Sequence, residues 1–153
     1  MIALALWLGG LVFFLIVFGP AVRDLRAGPG IAALNGGRIV LEGVAWTGIV
    51  LLLFTGMFNL FLRSQATGAH LESNYMILLS LKLLIFGVMV VHHAIQVLKY
   101  GPQIAALTAS ASADAPAWPE PLRAYWLGWF RLLKINATLG PIVMFLGLAL
   151  SKG

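Results

Sequence analysis

The stretch Arg38–Leu62, RIVLEGVAWTGIVLLLFTGMFNLFL, decides the fold. Between Arg38 and Arg63 only Glu42 is charged. A helix rises about 1.5 Å per residue, so ~20 apolar residues cross a hydrocarbon layer about 30 Å thick. This run is long enough. Lipid offers no partner to backbone N–H and C=O groups, so a segment crossing it pairs them internally as a helix. The period-2 alternation of a membrane barrel is absent.

Three further stretches meet the same criterion: Met1 to about Val22, about Tyr75 to Lys99, and about Leu132 to Leu150. Met1–Pro20 lacks a basic start, and its apolar run exceeds that of an ordinary signal peptide, so it is expected to stay as a helix. The expected architecture is all-α: an integral membrane, up-and-down four-helix bundle in one transmembrane domain, residues 1–153, with spans at about 1–22, 38–62, 75–99 and 132–150.

Composition agrees. Of 153 residues, 61% are hydrophobic and 10% charged, against about 45–50% and about 25% in soluble domains. Mean hydropathy is +0.97. Disorder is excluded, since it needs low hydrophobicity and high charge. The absence of Cys removes disulfides and Cys-ligated zinc or iron–sulfur sites. No P-loop or dinucleotide glycine motif is present, and no Ser–His–acid set is visible, so no catalytic residue is expected. The net charge of +5 comes from basic residues flanking spans, which argues against a nucleic-acid partner.

Those basic residues set the orientation. Arg23 and Arg26 lie in the first connection, with Arg38 at its edge. Lys99, Arg123, Arg131 and Lys134 lie in or beside the third. The second has only Arg63, and the C-terminus only Lys152. The odd connections are therefore expected in the cytoplasm and both termini outside. Residues 108–121 read as a flexible Ala-, Ser- and Pro-rich linker. Leu122–Arg131, which mixes aromatics with Arg, is expected to lie at the headgroup layer or to extend the last span.

Polar residues within spans point to function, because an ionisable group there costs at least about 2.5–3.5 kcal/mol. Depth predicts an inner cluster of Glu42, His92, His93, Gln96 and Asn136, rimmed by Arg131 and Lys134. It predicts an outer cluster of Trp7, Asn59 and Lys82. Lys82 and His93 are about 16 Å apart along one helix and cannot share a metal ion. Lys82, Met89, His93 and Gln96 share one face, and His92 points about 100° away, so His93 is expected toward the bundle centre. Glu42 stands one turn from Arg38, its natural partner. Met89 and His93, at i and i+4, are candidate ligands for copper(I), which accepts thioether sulfur and imidazole. Adjacent His92 and His93 cannot clamp a haem from both sides, which leaves a single axial His or a partner subunit's ligand. A quinone is also compatible with the inner cluster.

A family resemblance sharpens these expectations. Leu6-Trp-Leu-Gly-Gly-Leu-Val-Phe-Phe14, followed by Gly19-Pro20 and Arg23, resembles the first helix of CopD-like copper-resistance membrane domains. Trp46-Thr-Gly48 with Leu53-Phe-Thr-Gly-Met-Phe-Asn-Leu60, Leu81-Lys-Leu-Leu-Ile-Phe86 and Arg131-Leu-Leu-Lys-Ile-Asn-Ala-Thr-Leu-Gly140 fit the same pattern. The likeness covers nearly the whole chain through short apolar motifs. The HemJ-type protoporphyrinogen oxidases are more distantly similar. Such families often carry a His about two turns before the Trp-x-Gly-Gly stretch, and the six residues preceding Trp7 include none.

The resemblance implies a bacterial inner-membrane protein handling copper or serving a haem-linked process. The candidate cofactor-binding residues are His93, His92, Lys82 and Asn136, and the candidate metal ligands are His93 and Met89; the cofactor candidates are copper and haem b. Two other readings remain: a non-catalytic subunit packed against other membrane-protein subunits, and a membrane redox protein binding haem b or quinone. The lipid bilayer is the expected partner in all three.

Overall fold

A computed structural model of the chain describes residues 2–66, 73–112 and 116–152. Among them there is no strand, and four long helices carry the chain. Helix α1 spans 2–23, with a wider π-type turn at Phe14–Phe18 just before Gly19-Pro20. Helix α2 is Ala27–Ala66, α3 spans 73–110 with a second π-type turn at Gln96–Tyr100, and α4 is Glu120–Lys152. All four are long and apolar enough to cross a membrane. The protein is an all-α, multi-pass membrane bundle.

Both π turns immediately precede a Gly-Pro pair, Gly19-Pro20 and Gly101-Pro102. Proline has no N–H to donate and its ring crowds the preceding turn, so the helix widens there and continues.

Neighbouring helices run antiparallel. Gly48 of α2 faces Ala3 and Trp7 of α1, Gly10 faces Leu41, and Gly37 faces Phe18. On the other side, Asn136 of α4 reaches Met89 of α3, and Trp129 meets Gln96. Helix α1 wedges between α2 and α4, while α3 lies mainly along α4. The core is a column of Trp7, Leu11, Phe14, Ile49, Met89, Ile104, Trp129 and Leu133.

The helices outrun the expected spans on the side of the first and third connections, here called the basic end. Helix α2 begins at Ala27, not near Arg38. The glycines and Pro29 of this segment read as a loop, but Pro29 sits in the first turn, where an N–H has no helical partner anyway. Ile31 and Leu34 are buried in the core, and this burial outweighs the poor propensity of glycine. Arg38 is therefore a buried residue inside a helix, not the edge of a loop.

Likewise α3 continues past Lys99 to Ser110, placing Ile104 in the core. The expected linker is shorter than 108–121, because Thr108–Ser110 are helical; residues 113–115 lie outside the described residues, as do Met1 and Gly153. Leu122–Arg131 extends α4 and does not lie flat, because Leu122, Trp126 and Trp129 recur at helical spacing on a buried face.

Exposed apolar side chains form a belt, from Ile39 to Leu62 on α2 and from Leu127 to Leu148 on α4. At about 1.5 Å per residue each covers slightly more than 30 Å, the thickness of the hydrocarbon layer.

Candidate functional site

In the half of the bundle nearer the basic end, three helices, α2, α3 and α4, bring polar side chains together. Arg38, Glu42, His93, Gln96 and Asn136 are all buried. Arg38 Nη1 donates to both carboxylate oxygens of Glu42, at 2.8 and 2.7 Å. Its Nε and Nη2 donate to Asn35 Oδ1 at 3.1 and 2.9 Å. Glu42 Oε1 also accepts the indole N–H of Trp129 at 3.1 Å. Gln96 Nε2 donates to the Trp129 carbonyl at 3.1 Å. The carboxylate is thus paired with a guanidinium and an indole donor, as a buried polar group requires.

The π-type turn of α3 shares in this packing. The backbone of Gly101 lies against Arg38, with 3.0 Å between Arg38 Nη1 and the position a Cβ would take. A side chain at 101 would press on the guanidinium that holds Glu42.

His93 occupies the next layer. The residue is 3% exposed, and its Nε2 is buried with no hydrogen-bond partner among the described residues. The rings of Trp46 and Trp7 approach it edge-on at 5.2 and 6.3 Å between centroids. Phe86 packs edge-on against Trp7 at 6.3 Å. Met89, one turn before His93 on the same face, is fully buried.

His92 turns toward the α3–α4 seam and is only partly covered. Its Nδ1 lies 3.2 Å from Asn136 Oδ1, and Asn136 Nδ2 donates to the Met89 carbonyl at 3.1 Å. Asn136 therefore ties α4 to α3, the interhelical role a membrane asparagine commonly takes.

The outer cluster does not form. Trp7 packs against His93 and Phe86, because the α1–α2 register sets it beside Gly48. Asn59 lies about 16 Å farther along α2 and is exposed. Lys82 is partly covered on α3, apart from His93. Of the expected rim, Arg131 and Lys134 point outward on α4 and take no part in the buried network.

Arg38, Trp129 and Trp46 belong to the site without having been singled out beyond the Arg38–Glu42 spacing. The run Leu122, Trp126, Trp129, Leu133, Asn136, at alternating four- and three-residue steps, was the available signal that Trp129 shares the face of Asn136.

The donor set narrows the chemistry. Among the described residues no three His, Asp or Glu side chains are grouped to hold a metal ion, so a site built from several hard ligands is not offered. A buried imidazole nitrogen and a buried thioether suit a soft monovalent ion. A porphyrin bound through His93 would need a flat space beside an imidazole that Trp7 and Trp46 already flank.

The fold and these side chains define a multi-pass membrane protein with a polar site buried among its helices. No family model matches the chain, and no curated protein or solved structure matches it either.

Proposed function

We propose that this chain is a CopD-like membrane protein that handles copper, taking copper(I) at His93 and Met89. One observation carries the reading: the buried Nε2 of His93 has no hydrogen-bond partner among the described residues. An unsatisfied buried polar atom is costly, and a bound ion is one way such an atom is satisfied. Met89 supplies a soft second donor one turn away, and the Trp7 and Trp46 rings cover the imidazole. The fit extends to copper(I) and not to haem b, given the enclosure of Nε2. The bound ion would be held or passed on within the bilayer; no covalent step is assigned to any residue, and no catalytic role is proposed.

By the distribution of Lys and Arg, the basic end faces the cytoplasm of a bacterial cell and both termini face outward. The Arg38–Glu42 pair then lies on the cytoplasmic side of the metal site.

Elemental analysis of detergent-purified protein loaded under reducing conditions tests the metal. One copper per chain is expected, falling several-fold in His93→Ala and to a smaller degree in Met89→Leu. Protein that binds no copper, or whose copper survives His93→Ala, overturns the reading. A Soret band lost in His93→Ala assigns the site to haem instead.

A further inference from the structure

Helix α4 carries two cations that the buried site does not use. Arg131 and Lys134 are one turn apart and both exposed. The stripe continues to Thr138, whose hydroxyl donates back to the Lys134 carbonyl at 3.0 Å. The surrounding surface is apolar: Leu127 and Ile135 on α4 are exposed, as are Val12 and Ile16, which follow Leu8 at four-residue steps on the side of α1 that meets Gly140 of α4.

Depth makes these charges unusual. The apolar belt of α4 begins at Leu127, so Arg131 starts about 6 Å inside it and Lys134 about 10 Å. No carboxylate among the described residues is available to them. Glu42 is held by Arg38, Glu120 lies beside Arg123 at the helix start, and Asp24 ends α1.

Helix direction supplies the rest. Side chains on a helix lean toward its N-terminus, and α4 starts at the basic end. Both side chains therefore reach back along the helix toward the near membrane surface, laying their aliphatic stems on apolar neighbours as snorkelling residues do. This direction carries their charged heads toward the depth of lipid phosphates.

We infer that Arg131 and Lys134 form a binding site for the headgroup of an anionic phospholipid in the leaflet at the basic end. The phosphate bridges the guanidinium and the ammonium, and an acyl chain runs along the apolar surface of α4 and α1. The anion is a lipid and not free phosphate because the cations emerge within the apolar belt, where a ligand must bring its own hydrocarbon.

The assignment can be tested on full-length protein in neutral detergent, with phosphatidylglycerol or phosphatidylcholine added and retained lipid measured by native mass spectrometry. Phosphatidylglycerol is expected to be preferred roughly tenfold or more, given the attraction of two cations for an anionic surface. The preference falls as salt is raised. Arg131→Gln and Lys134→Gln each reduce it, and the double variant abolishes it, while Arg26→Gln leaves it unchanged. Equal retention of the two lipids by the unaltered protein overturns the inference without reference to any variant and leaves a carboxylate-bearing partner helix for this face. Preference undiminished in a folded double variant, or abolished by millimolar inorganic phosphate, also overturns it.

Discussion

Glu42 shows how one side chain organises the basic end. It accepts from Arg38 one turn earlier and from Trp129 on a different helix. A buried ion pair contributes little net stability, but removing one partner strands the other charge at a cost of about 3–5 kcal/mol. Arg38→Ala is therefore expected to lower the thermal unfolding midpoint in detergent sharply. The double variant Arg38→Met/Glu42→Leu should recover most of that loss; if it is as unstable as the single variant, the pair is not what the stability depends on. The spacing of Arg38 and Glu42 made their pairing legible in the sequence. Trp129 was not legible as the third member, because an indole donor on another helix has no fixed sequence separation from its acceptor.

At the scale of the helices, close approach is set by glycines. Gly140 sits against Leu8, and a Cβ at position 140 would overlap the leucine side chain. Gly128 is similarly closed by the Tyr100 ring, at 2.5 Å from the position a Cβ would take. Small residues let membrane helices approach closely, since packing and not hydrophobicity drives their association. Gly140→Ala is expected to destabilise the bundle by about 1–3 kcal/mol through overpacking. Leu8→Ala in the same chain should restore part of the loss, and thermal unfolding of the single and double variants measures both. The absence of rescue would place the strain elsewhere. The existence and order of the four helices followed from hydropathy. Their ends at the basic side did not, because Ala27–Gly37 and Leu122–Arg131 are held helical by burying Ile31, Leu34, Leu122 and Trp126, a tertiary effect that local composition does not reveal.

Over the whole molecule, lipid is the medium against which the exposed surface makes sense. Phe54, Met57, Phe58, Phe61 and Leu62 all face outward on α2, where water would favour aggregation and acyl chains do not. The natural lack of cysteine makes sidedness easy to measure. A single cysteine introduced at Gln65 is expected to react with an impermeant maleimide on intact spheroplasts. One at Ser110 is expected to react only after permeabilisation. The reverse pattern would invert the proposed orientation.

The sequence alone determined the all-α class, the membrane setting, the four spans and the separation of His93 from His92 on α3, because each depends on length, hydropathy or helical period along one segment. Only the tertiary structure decided that Trp7 stands beside His93 and not with Asn59, that Trp129 completes the Glu42 site, and that Arg131 and Lys134 turn away from it. Those outcomes depend on the register and rotation of one helix against another, which are fixed by the packing of glycines such as Gly48 and Gly140 against side chains far away in the chain.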